Sequence, residues 1–175
     1  MSPPEAPGSP PERARIPNRT ALILLVAGTV GVHVALPLAI SLVTPRYGWL
    51  EGRPGLWNAI GLIPVAAGLA MIAWAGSRHI VAAGGWPERT PRNILVAGPY
   101  RFSRNPMYLL ELAMWLGWAI FYGSLAVLIA FVLWWMAFAF IIVPDEERRL
   151  EARFGDTYLR YKATVPRWFE LPARR

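Results

Sequence analysis

The chain contains no cysteine and only two histidines, His33 and His79. Disulfides, zinc–thiolate sites and thiol nucleophiles are excluded together. Two imidazoles far apart in sequence do not make a metal site, so no metal is expected. Charge is scarce too, at 17% of residues, and it leans one way: 18 Lys and Arg against 11 Asp and Glu, a net charge of +7. A basic balance can serve nucleic acid, but here the aromatic residues lie inside apolar runs and not among the basic ones. No nucleic-acid partner is expected. What the chain has in abundance is apolar surface: 55% of 175 residues, nine of them Trp. Soluble domains average about 45–50%, and the excess here is gathered into long runs. That argues for an integral membrane protein.

Residues 1–19 are rich in proline and cannot bury apolar area, which predicts a disordered arm. The arm lacks the layout of a signal peptide. Residues 20–175 then form a single domain. Four apolar runs fit membrane spans of about 20 residues: 21–43, 57–75, 106–122 and 125–143. In the first, Gly28, Gly31 and Ala35 suggest a small-residue packing face, Pro37 predicts a kink, and His33 is expected to hydrogen-bond inside the bundle. The second carries Gly61, Pro64 and Gly68 for close helix contact. A polar-to-mixed linker is expected over 76–97. The last two runs, separated by Gly123-Ser124, make a helical hairpin. The predicted fold is an all-α membrane protein of four transmembrane helices, with an amphipathic C-terminal helix beyond them. In that tail Leu150, Phe154, Tyr158 and Tyr161 recur at helical spacing; Gly155 is expected to end one helix and Asp156 to cap the next.

Between the two oily halves lies Gly98-Pro99-Tyr100-Arg101-Phe102-Ser103-Arg104-Asn105-Pro106-Met107-Tyr108. Pro99 and Pro106 bias the residues before them away from helix. Pro106 suits the first turn of the following helix, where its missing N–H costs nothing. That turn's free N–H groups, with Arg101 and Arg104 nearby, form an anion-binding mouth. The plainer reading is a basic loop anchoring a helix at the headgroups.

Arg104-Asn105-Pro106-Met107-Tyr108, preceded by Gly98-Pro99-Tyr100, resembles the signature of the isoprenylcysteine carboxyl methyltransferase family and the related phospholipid methyltransferases. A second block is similar as well: Glu146-Glu147-Arg148-Arg149-Leu150, Phe154-Gly155-Asp156-Thr157-Tyr158, Tyr161 and Val165-Pro166-Arg167-Trp168. The resemblance covers residues 90–169. It implies S-adenosylmethionine as cofactor, entering from the cytosol, and a lipid-like or isoprenoid substrate entering from the bilayer. Many members carry His where this chain has Asn105, which speaks against proton transfer there but not against cofactor binding through the backbone.

Two antiparallel helices of similar length bring Arg104, before the third span, near Glu146, after the fourth, at a helix-packing distance of about 8–10 Å. The lysines and arginines of the arm, the central loop and the tail fall on that same side, and the hairpin turn has none. By the positive-inside rule both termini are cytoplasmic, in a bacterial inner membrane.

On this reading Gly98, Tyr100, Arg101, Arg104, Asn105, Pro106, Tyr108 and Glu146 are the cofactor-binding candidates. Arginines and the helix start would take the cofactor's carboxylate, a glutamate its ribose hydroxyls or ammonium, and aromatic rings its adenine and sulfonium. Glu111, the one carboxylate inside the third span, lies on a face with Tyr108, Trp115 and Trp118. Its plain alternative is a structural pair with Arg104 or Arg78. Glu111 or Glu147 would be the base for an amine acceptor; a carboxylate acceptor needs none, and Arg167 would hold it. O-methylation of a carboxylate is the leading expectation, with phospholipid N-methylation, a nicotinamide-dependent reductase of the sterol-reductase kind and a non-catalytic membrane protein as alternatives. The acceptor's identity and the oligomeric state stay open.

Overall fold

A computed structural model describes residues 18–83, 96 and 98–169. The expected disorder of the arm and most of the central linker, with Arg89 and Arg92, fall outside the described residues, as do the side chains of Arg78 and His79.

The first apolar run forms α1 (Asn18–Val30), a single π turn (Gly31–Ala35) and α2 (Leu36–Leu42). Pro37 accounts for the irregularity. It has no N–H to give the His33 carbonyl four residues back, and the ladder widens just before it. A two-residue hairpin follows, β1 (Trp49–Leu50) with β2 (Arg53–Pro54). A short turn, α3 (Leu56–Ala59), leads into α4 (Leu62–Ala83). Helix therefore continues past residue 75 into the expected linker, because no proline interrupts the chain between Pro64 and Pro87.

The hairpin is α5 (Pro106–Tyr122) and α6 (Leu125–Ala137). Gly123 turns the chain with φ 56°, and the Ser124 hydroxyl caps α6 by accepting from Val127 N at 3.3 Å. A second π turn (Phe138–Ile142) joins α6 to α7 (Val143–Phe154), so helix runs unbroken where the fourth span was expected to end. This turn, too, ends two residues before a proline, Pro144. It shifts the inward face: burial steps from Phe138 to Val143 to Glu147, so the first step is five residues. Gly155, at φ 50°, both ends α7 and precedes α8 (Asp156–Thr164). Asp156 is thus the first residue of α8 and not its cap.

α4 and α5 make the tightest contact. A Cβ on Gly117 would stand 2.5 Å from the Gly61 carbonyl and 2.9 Å from Pro64 Cγ, and one on Gly68 would stand 2.8 Å from Met114 Cβ. The packing face expected in the first helix is not used, since a Cβ on Gly28 or Gly31 would meet nothing within 4 Å. At one end of the bundle Tyr47 N donates to Gly123 O at 2.9 Å and Asn58 Nδ2 to Ile120 O at 3.0 Å, so the first loop and the hairpin turn are joined.

The outward surface of α6 and its continuation is apolar, with Leu125, Ile129, Leu133, Phe140 and Ile141 exposed. Among the described residues two helices, Leu56–Trp74 and Leu125–Phe154, are long and apolar enough to cross a membrane. Water does not tolerate such a continuous apolar surface, and lipid covers it. Gly117→Ala is expected to destabilise the bundle by about 1–3 kcal/mol through overpacking. Gly28→Ala, in a helix with open space around it, should stabilise by up to about 1 kcal/mol. Thermal unfolding of both variants in detergent checks the contrast.

Candidate active site

The stretch before α5 begins with one 3-10 turn, Gly98–Arg101. Pro99 O accepts from Phe102 N at 3.1 Å. The first ladder bond of α5 runs from Leu109 N to Asn105 O, so the N–H groups of Met107 and Tyr108 lie outside the ladder and can face an anion. The end of the chain is sewn onto this stretch. Arg104 N donates to Pro166 O at 2.9 Å, Asn105 Nδ2 to Arg167 O at 2.9 Å and Ser103 Oγ to Arg167 O at 3.2 Å. From α8 the Tyr161 hydroxyl donates to Tyr100 O at 2.8 Å. Burial pushes the Tyr161 phenol up to about 12, so it remains a donor at neutral pH.

Beneath that seam sits Glu147, a buried carboxylate. Arg167 grips it with Nε at 3.1 Å and Nη2 at 2.6 Å, and Arg104 Nη1 lies 3.0 Å from Oε1. Lys162 stands 4.0 Å away and pairs with Glu151. The Arg104 side chain is 9% exposed, the Tyr158 hydroxyl lies against its guanidinium, and neither Nε nor Nη1 has a hydrogen-bond partner among the described residues, so Nη1 meets Glu147 as an ion pair. Donating to the Glu147 carboxylate raises the Arg167 pKa. On the exposed side, the Tyr108 hydroxyl donates to Glu146 Oε2 at 2.9 Å. Burial, then the negative field of Glu146, raises the pKa of Tyr100.

One turn further along α5 the polar line continues. Glu111 Oε1 lies 3.5 Å from His33 Nε2, and Trp115 Nε1 donates to His33 Nδ1 at 3.3 Å. Trp115 also lines an apolar groove of about 230 Å³ with Leu36, Ile40, Ala130, Leu133 and Trp134.

Residues from the two distant blocks therefore meet at one end of the hairpin, and the choice between the adjacent glutamates, open in the sequence, is made by the fold. Arg104 pairs with Glu147 and not Glu146, because the π turn advances the inward face by one residue. Of the residues expected to be catalytic, Glu147 and Arg167 engage each other, Arg167 donating to both carboxylate oxygens. Asn105 is buried, with its N–H taken by Ser103 Oγ at 3.0 Å and its side chain by Arg167 O. Pro106 is buried beside it. Gly98, Tyr100, Arg101, Tyr108 and Glu146 stay partly or fully exposed. Glu111 pairs with His33 in place of Arg104. Ser103 and Tyr158 lie inside the two sequence blocks without a role assigned to them there, and Lys162 carries no signal of its own in the basic tail.

A family model for phospholipid methyltransferases matches residues 59–157, more than half of the chain. The chain belongs to the phospholipid methyltransferase family. For this family member the matched range takes in α4 to α7, including Arg104, Tyr108, Glu111, Glu146 and Glu147, and leaves out α1, α2 and Arg167. An uncharacterized protein of Haemophilus influenzae is 34% identical over 62 residues, 35% of this chain and 98% of that protein. No solved structure matches the chain.

Glu147→Ala is expected to destabilise this methyltransferase-family protein by about 3–5 kcal/mol, because it leaves Arg104 buried without a counter-charge. Arg167→Ala should cost less, since its side chain is 39% exposed and solvent screens the pair. Unfolding midpoints of the two variants in detergent test that order.

Proposed function

We propose that the protein is a multi-pass membrane methyltransferase that uses S-adenosylmethionine to methylate a lipid-like acceptor, with both termini cytoplasmic. The observation that carries this reading is the meeting of the 98–108 stretch with Glu146, Glu147 and Arg167 at one end of the hairpin. The donor set there fits the cofactor. A carboxylate, Glu146, is oriented by Tyr108 at 2.9 Å and suits ribose hydroxyls or an ammonium. The N–H groups at the start of α5, with Arg101 and the buried, under-bonded Arg104 behind them, suit a carboxylate. Tyr100 and Tyr108 supply aromatic faces for the adenine and the sulfonium. When bound, S-adenosylmethionine supplies a methyl group whose bond to sulfur breaks with the electron pair left on sulfur, as a lone pair on the acceptor bonds to carbon.

Among acceptors, an amine fits these side chains better than a carboxylate. The ionisable group along the membrane-embedded face of α5 is Glu111, which repels a carboxylate and attracts an ammonium head. The cation expected to hold a carboxylate, Arg167, is engaged by Glu147. The apolar groove lined by Trp115 offers a place for the acceptor's chain. This favours phospholipid N-methylation over carboxyl O-methylation of an isoprenoid. Glu111 then takes the proton that the amine must lose.

Titration of the detergent-purified protein with S-adenosylhomocysteine and, separately, NADPH tests the cofactor. At about 100 times its Kd, S-adenosylhomocysteine should add about 2.7 kcal/mol of stability and raise Tm by several degrees. Tyr108→Phe, which frees Glu146 from its hydrogen bond, should weaken that binding by about five- to tenfold. Binding of NADPH alone would support a reductase, and binding of neither a non-catalytic role. Extracted membrane lipids incubated with protein and cofactor should gain one methylene in mass. Glu111→Gln should slow methylation of an amine by about 100-fold or more and keep cofactor binding; an unchanged rate would overturn the assignment of Glu111 as the base.

A further inference from the structure

We propose that His33, contributed by the first helix outside the matched family range, is a positioning residue that holds Glu111 ready to accept the acceptor's proton. The inference rests on the methyl-transfer reading and extends it to a residue that reading does not require.

The hydrogen bonds around His33 determine its tautomer. An indole N–H can only donate. Trp115 Nε1 points at His33 Nδ1 at 3.3 Å, so Nδ1 is an acceptor and carries no proton. A neutral imidazole then bears its hydrogen on Nε2, the atom 3.5 Å from Glu111 Oε1. The ring thus presents a donor to one carboxylate oxygen and leaves the other to receive a proton. Contacts of this length in a ligand-free site tighten when the reacting complex forms.

The backbone of His33 is held as firmly as its ring. Pro37 lacks the N–H that an α-helix would direct to the His33 carbonyl. Trp118 Nε1 donates to that carbonyl at 2.6 Å instead. Two tryptophans one turn apart on α5 therefore fix the two ends of one residue on the neighbouring helix. A histidine that served packing alone would not need its tautomer set and its ring aimed at a carboxylate. In the step assigned to Glu111, an N–H bond of the acceptor's ammonium breaks, the proton passes to the carboxylate to make O–H, and the electron pair stays on nitrogen, where it is free to bond to the methyl carbon. His33 neither gains nor loses a proton.

The test compares His33→Phe with His33→Gln in the full-length protein. A glutamine carbonyl can accept from Trp115 while its amide donates to Glu111, but it cannot carry a proton through a ring. We expect His33→Phe to lower kcat for amine methylation by about 10- to 100-fold, with S-adenosylhomocysteine affinity close to wild type and Tm lowered by the loss of the Trp115 acceptor. His33→Gln should recover to within about threefold of wild type. Independently of activity, NMR of protein labelled with ¹⁵N-histidine, with His79→Gln used for assignment, should show a neutral His33 protonated on Nε2. Trp115→Phe should remove that bias.

An active wild type with an equally active His33→Phe variant overturns the proposal. So does a folded His33→Gln variant as slow as His33→Phe, or a ring protonated on Nδ1. If His33→Phe fails to fold, the Gln variant and the spectra still decide. A wild-type protein that methylates nothing would overturn the methyl-transfer reading and this inference with it, whereas the other results overturn this inference alone.

Discussion

The arrangement of the candidate site depends on one buried carboxylate held between two guanidinium groups. Glu147 comes from α7, Arg104 from the loop before α5, and Arg167 from the segment after α8. Removing the Glu147 and Arg104 charges from water carries a desolvation penalty of several kcal/mol per ion, which only close geometry and further hydrogen bonds offset. Arg167 supplies two such bonds to Glu147, at 3.1 and 2.6 Å, while Arg104 N, Ser103 Oγ and Asn105 Nδ2 donate to carbonyls of Pro166 or Arg167 and hold the two segments together. The ion cluster therefore acts through location. It fixes where three segments meet, and in doing so leaves the neighbouring Glu146 and Tyr108 at the exposed edge. The buried glutamate of the adjacent pair builds the site, and the exposed one faces outward with a hydrogen bond that a ligand can replace.

Much of this was legible in the sequence. The runs 106–122 and 125–143 with Gly123-Ser124 between them read directly as a hairpin, because a glycine and a good cap between two apolar helices leave little other choice. From the hairpin alone it follows that the residues before α5 lie near those after α6. The choice between Glu146 and Glu147 was not legible. It depends on the one extra residue in the π turn at Phe138–Ile142, and an apolar run such as Phe138-Ala139-Phe140-Ile141-Ile142 gives periodicity nothing to register the change. The partner of Glu111 was hidden for another reason. His33 lies far away in sequence, and only the packing of the first helix on α5 brings them together. The small residues of that helix pointed to the wrong contact: Gly28 and Gly31 meet nothing, while Trp115 and Trp118 make the actual junction through hydrogen bonds.

Proline sets both adjustments. Pro37 and Pro144 each sit two residues beyond a π turn. In each case the missing N–H loosens the ladder upstream, and a helix relaxes that strain most cheaply by taking in one residue more per turn. An extra residue rotates everything downstream by about 100° relative to the upstream helix. Along α6 and α7 this rotation carries Glu147 inward beneath Arg104. In the first helix the His33 carbonyl that Pro37 leaves without a backbone donor becomes the acceptor for Trp118. A buried carbonyl without a partner would cost about 1–3 kcal/mol, so the indole is also the structural answer to the proline. The same two sites that disturb helical regularity are thus the ones that bring a polar group to the candidate site from an otherwise apolar helix. In a bilayer, where a side chain cannot reach its partner through water, rotating the helix by one residue is an effective way to aim it.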